Sequence, residues 1–169
     1  MDLSQNHNAS GWRKKGRLLG VLLFLTVLAV ATGLSLKAFA GPSYNNREFG
    51  LSLQIPQDFA REVQIKAEGK VLYFIYKEVQ ALKPEIPLGV VGRVEIYDKA
   101  TNTKEDLEQL TDMYGLRIIG ENSKYYFGVA HATDVQVPPD ASELLKTRFR
   151  ELEAEFDEVI KSVRIAEVR

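Results

Sequence analysis

Val71-Leu72-Tyr73-Phe74-Ile75-Tyr76 decides the fold of this chain. Successive side chains of an extended segment point to opposite faces, so Val71, Tyr73 and Ile75 share one side and Leu72, Phe74 and Tyr76 the other. Both sides are apolar. That pattern predicts a central strand of a sheet, with something covering each face. Immediately before it, Val63, Ile65 and Ala67 alternate with polar residues, and Glu68-Gly69 supplies a tight turn, so the two segments form a hairpin. Further back, over residues 47–55, Phe49, Leu51, Leu53 and Ile55 alternate with Gly50, Ser52 and Gln54, the pattern of a half-buried strand. Pro56 ends that strand because it cannot donate to a ladder. Phe59 is expected to fold back as a plug in the core.

Forward of the hairpin, residues 79–87 read as a loop containing Pro84 and Pro87. A strand follows over residues 88–97, with Val90, Val94 and Ile96 inward. Gly89 and Gly92 mark a bulge or a close approach of backbone. Thr103, with Asp106 three positions on, opens a short helix whose stripe is Leu107, Leu110 and Tyr114, and Gly115 closes it. Residues 116–120 and 124–130 form a second hairpin around Glu121-Asn122-Ser123, and residues 135–139 are a loop. Asp140, with Glu143, is predicted to cap a long helix running to Ser162. Its stripe is Leu145, Phe149, Leu152, Phe156, Val159 and Val163. A final edge strand is expected within residues 164–168. The order predicts an α+β fold: a mostly antiparallel sheet of about six strands, packed by a short helix and a long C-terminal amphipathic helix.

The N-terminal region reads differently. Residues 18–36 are 19 uncharged residues directly behind Arg13, Lys14, Lys15 and Arg17. As a helix they would be ~28 Å long, against a hydrocarbon core of about 30 Å. By the positive-inside rule, residues 1–17 form a basic cytoplasmic region. Residues 18–40 form a transmembrane anchor or signal segment, and residues 44–169 an extracytoplasmic domain. The long apolar core fits a retained anchor, whereas Ala38-Phe39-Ala40 before Gly41 fits signal cleavage. The expected localisation is therefore single-pass in the cell membrane, through residues 18–36, with the C-terminal domain extracytoplasmic, or secreted after cleavage near Ala40.

Composition narrows the function classes. The chain has no cysteine, which excludes disulfides, a lipid-bearing cysteine and thiolate zinc sites. The first 40 residues hold five of the 22 basic side chains and one of the 23 acidic ones, leaving the remainder near −5. No basic patch is visible, so nucleic acid is not an expected partner.

The opening Tyr44-Asn45-Asn46-Arg47-Glu48-Phe49-Gly50-Leu51-Ser52-Leu53-Gln54-Ile55-Pro56 resembles that of PsbP-like domains. These begin with an aromatic residue, a polar pair and a Phe-Gly-aliphatic strand that ends in proline. They finish with a long helix leading into a short strand, as residues 149–165 do here. Phe59 stands where tryptophan is commoner in that family. The resemblance implies an α/β fold and a mostly non-catalytic assembly or binding role, over most of residues 44–165.

The local chemistry is sparse. His131-Ala132-Thr133-Asp134 could share a metal or act as an acid–base pair, or His131 could cap the strand end while Asp134 satisfies turn amides. No serine lies in a G-x-S-x-G elbow or an S-x-x-K motif. Glu151, Glu153, Glu155, Asp157 and Glu158 read as a solvated helix face paired with Arg148, Arg150 and Lys161. Tyr125-Tyr126-Phe127 and Tyr73 to Tyr76 could line a groove for a sugar or peptide, or simply pack within strands. His131, Asp134, Tyr125 and Tyr73 are thus the candidate contacts, with no cofactor expected. The leading expectation is a non-catalytic extracytoplasmic domain, membrane-anchored or secreted, that binds or supports an envelope or membrane-protein partner. The alternative is a small hydrolase or metal-dependent enzyme using His131 and Asp134. A third reading is a small-ligand carrier using the tyrosine and phenylalanine faces.

Overall fold

The computed structural model describes residues 41–168. Strands β1 (Ser43–Asn46) and β2 (Leu51–Gln54) form a hairpin whose turn contains Gly50 at φ 73°. Helix α1 (Gln57–Glu62) follows Pro56 and carries Phe59, fully buried, into the core. Strands β3 (Val63–Glu68) and β4 (Val71–Tyr76) pair around Gly69, which takes the left-handed conformation such a turn requires. Helix α2 (Lys77–Leu82), strand β5 (Val90–Asp98) and helix α3 (Lys104–Tyr114) come next. The chain closes with β6 (Arg117–Glu121), β7 (Tyr125–Ala130), α4 (Glu143–Lys161) and β8 (Arg164–Ile165).

The strands make two antiparallel sheets. The larger has the order β3-β4-β5-β7-β6, the smaller β1-β2-β8. One core fills the space between the small sheet, α4 and the inner face of the large sheet. It contains Leu51 and Leu53 from β2, Leu72, Phe74 and Tyr76 from β4, Val94 and Ile96 from β5, and Phe127 and Val129 from β7. From α4 come Phe149, Leu152, Phe156 and Val159, the predicted stripe. Gly92 explains how the helix sits so close. A Cβ there would stand 2.1 Å from Phe156 Cε1, so only a glycine lets the ring lie against the strand. A separate small cluster of Leu107, Leu116 and Ala130, with Tyr97, Ile118 and Tyr126 around it, sits under α3 on the outer face of the large sheet.

The structure corrects the expected fold in several ways. Among the described residues there are two sheets with eight strands, not one of about six, because the chain turns at residues 47–50 and residues 43–46 pair with β2 as a separate strand. β8 joins β2, not the large sheet. The short helices α1 and α2 occupy segments read as a turn and a loop. Ser142, not Asp140, caps α4: its Oγ accepts from the Leu145 N–H at 3.3 Å. The capping box of Thr103 and Asp106 and the left-handed Gly115 stand where the sequence put them.

The membrane reading is also corrected. Among the described residues no helix is long and apolar enough to cross a membrane. Residues 18–36, on which the anchor and signal readings rested, lie outside the described residues. The single-pass localisation, the membrane partner and the envelope-support function therefore have no footing in the described fold.

One ion pair ties the first helix to the last. Arg148 donates from Nε and Nη2 to both carboxylate oxygens of Glu62, at 2.9 and 2.7 Å, and from Nη1 to Glu151 and Glu155. The Arg148 hydrogen bond holds the Glu62 carboxyl below its ordinary value of 4.5. A depressed folded-state value stabilises the fold above the unfolded value, and that contribution disappears as pH falls through the folded one. Both side chains are partly exposed, so screening limits the effect. Arg148→Met is expected to cost about 1–2 kcal/mol at pH 7. In urea titrations the difference from wild type should shrink as the pH drops below that carboxylate range. A difference independent of pH would contradict the assignment.

Candidate functional site

His131 and Asp134 are not brought together. His131 stands at the end of β7 and faces α4: Nδ1 is 3.0 Å from the Val91 carbonyl and Nε2 3.3 Å from Asp157 Oδ1. Its ring meets Phe156 edge-on at 5.5 Å. The Val91 carbonyl can only accept, so Nδ1 carries a proton, and any substrate or metal would have to displace Asp157 from Nε2. Among the described residues no group of three or more His, Cys, Asp or Glu side chains could hold a metal ion. The hydrolase or metal-enzyme reading on His131 and Asp134 is overturned by this separation and by the lack of a ligand set. The hollow that His131 lines, about 850 Å³ between β6, β7 and α4, has charges that satisfy one another. Asp157 faces both His131 and Arg117, and Lys161 pairs with Glu158.

Tyr125 likewise serves the fold. Its ring packs edge-on against Phe49 at 5.3 Å, with the Lys70 ammonium 5.7 Å above it. It joins the two sheets.

Tyr73 has a different setting. Leu72, Phe74 and Tyr76 are buried, but Val71, Tyr73 and Ile75 on the opposite face of β4 are only half-buried. The expected cover over this second face is confined to the α3 cluster around Tyr97, Ile118 and Tyr126. Register places Lys66 of β3 and Arg93 of β5 on either side of Tyr73. Two loops rim the face, stitched by the Gly89 N–H donating to the Gln136 carbonyl at 3.1 Å and the Val90 N–H donating to Gln136 Oε1 at 2.9 Å. Pro87 from one loop and Thr133, Asp134 and Gln136 from the other complete a hollow of about 350 Å³ with Tyr73 on its floor.

The polar groups here converge, some of them paired and some free. Lys66 pairs with Glu68. Arg93 donates from Nε to Glu95 and from Nη1 to the His131 carbonyl. The Tyr73 hydroxyl, the Thr133 hydroxyl and the Asp134 carboxylate have no hydrogen-bond or ion-pair partner among the described residues. Two of the four candidate contacts, Tyr73 and Asp134, thus meet in one hollow, while His131 and Tyr125 lie outside it. Sequence reading missed Lys66, Arg93 and Gln136, because only cross-strand register and the loop stitch bring them to Tyr73. No protein-family model, curated protein or solved structure matches the chain.

Proposed function

We propose that the protein is a ligand-binding module whose site is the hollow around Tyr73. Its ligand is a small, uncharged, hydroxyl-rich molecule with one flat apolar face, such as a mono- or disaccharide. The observation that carries this reading is the half-buried Tyr73 ring on an uncovered sheet face, with the unpaired Thr133 hydroxyl and Asp134 carboxylate on the rim of its hollow. Small-ligand sites combine an apolar floor with a few convergent polar groups, in volumes of roughly 300–1,000 Å³. The hollow has Lys66 and Arg93 against Glu68 and Asp134, so its formal charges balance. A balanced rim favours a neutral ligand that both donates and accepts over an anion or a cation. The aromatic floor suits the C–H face of a sugar ring. The resemblance of residues 44–56 to PsbP-like domains, which are mostly non-catalytic, supports binding without chemistry.

The test is calorimetric titration of the full chain with glucose, N-acetylglucosamine and cellobiose. Tyr73→Ala is expected to weaken binding of the preferred sugar about tenfold, equivalent to ~1.4 kcal/mol. Its urea midpoint should move little, because the side chain lies on the surface of the sheet. Absence of heat with all three sugars at millimolar concentration, or unaltered binding by Tyr73→Ala, would sink the proposal.

A further inference from the structure

Arg93 borders a second hollow on the same face of the sheet. This one is about 280 Å³ and is lined by Arg93, Glu95, Tyr97, Leu110, Tyr114 and Leu116. Arg93, Glu95 and Tyr97 are alternate residues of β5, so their side chains emerge on one side, the side that carries Tyr73. The two hollows therefore lie end to end along β5. From Val90 to Tyr97 the strand spans ~23 Å. The floor between them is fixed: Glu95 accepts from Arg93 Nε with one carboxylate oxygen and from the Tyr97 hydroxyl with the other. Burial first, then that hydrogen bond, pushes the Tyr97 hydroxyl above its ordinary value, and its proton is committed to Glu95. The far hollow shares the aromatic face of the near one, with its polar groups paired to each other. Tyr114, about half exposed at 48%, and Leu110 offer apolar faces, and the Arg93–Glu95 pair offers the polar edge.

We infer that the two hollows are subsites of one cleft and that the ligand is a chain, an oligosaccharide of three or four sugar units lying along β5 from Tyr73 to Tyr114. A single sugar would leave the Tyr97–Tyr114 half empty. A linear chain of neutral rings presents apolar faces and hydroxyls along its length, as the cleft does. The inference rests on the saccharide reading of the Tyr73 hollow.

The test uses the full chain and a length series of cello- and chito-oligosaccharides from two to four units, titrated calorimetrically. Affinity is expected to rise at least tenfold from the dimer to the tetramer. Tyr114→Ala should abolish that rise. Tyr114 is the exposed last residue of α3, so an unaltered circular dichroism spectrum and urea midpoint should accompany the loss. Equal affinity for all lengths would overturn the cleft while leaving the Tyr73 site standing. No binding at any length would overturn the saccharide reading itself. Binding of an extended neutral peptide, Gly-Tyr-Gly-Tyr, in place of the sugars would also overturn it, with a peptide as the occupant.

Discussion

Phe156→Ala is expected to lower the unfolding free energy by about 3–5 kcal/mol, the range for removing a large aromatic side chain from a core. Phe156 is fully buried. Its ring lies 4.9 Å from that of Phe74, beneath Gly92, a strand position with no side chain to fill the gap. The site cannot collapse easily. β5 is held by β4 and β7 on either side, and α4 is fixed along its length by Phe149, Leu152 and Val159. The cavity would stay largely open, which puts the cost toward the upper end. Chemical unfolding in urea measures it, and a loss under 1 kcal/mol would contradict the packing of α4 on the large sheet.

Asn122→Ala should cost about 3 kcal/mol, through hydrogen bonds instead of volume. Asn122 is the buried polar side chain of the described core, in the turn between β6 and β7. Its Nδ2 donates to the carbonyls of Phe49 and Ala166, both at 3.0 Å. Its Oδ1 accepts from the backbone N–H groups of Lys124 at 3.0 Å and Tyr125 at 2.9 Å. One side chain thus joins the hairpin of the large sheet to the β1–β2 turn and to the segment after β8. Deleting it leaves four backbone groups to find other partners, at about 1–3 kcal/mol for each that stays buried and unpaired. Asn122→Asp provides a second reading. It keeps the acceptor, loses both donors and sets a charge against two carbonyls, so it should be no more stable than the alanine variant at pH 7. An aspartate variant as stable as wild type would contradict the four-bond arrangement.

Both residues show what could be read from the chain. Phe156 was legible because helical periodicity marks a buried stripe whatever it packs on, and Gly92 was legible as a site of close approach. Asn122 was visible only as a turn residue. Its role depends on Phe49 and Ala166, 73 and 44 positions away, and no local pattern encodes those distances. The division into two sheets was hidden for a related reason. The alternation of Phe49, Leu51, Leu53 and Ile55 runs across the turn at residues 47–50, so one strand was read where a turn and a strand stand. The candidate site was half legible. Tyr73 lay in a segment apolar on both faces, and Asp134 in a loop after a strand. That the outer face of β4 stays uncovered followed from the placement of α3 over β6 and β7, which composition does not report. His131 was paired in sequence with Asp134, but in the fold it faces Asp157, one residue past Phe156 on α4, 26 positions away.

The central claim is that the uncovered face of β4 and β5 is the binding surface. Amide chemical-shift mapping of the isotope-labelled full chain, titrated with cellotetraose and N-acetylchitotetraose, tests it most directly. The account predicts saturating shifts confined to Tyr73, Arg93, Tyr97, Tyr114 and the loop residues Thr133 to Gln136, with the groove of His131 and Asp157 undisturbed. Shifts centred on His131, Asp157 and Arg117, or no shifts with either sugar, would contradict it.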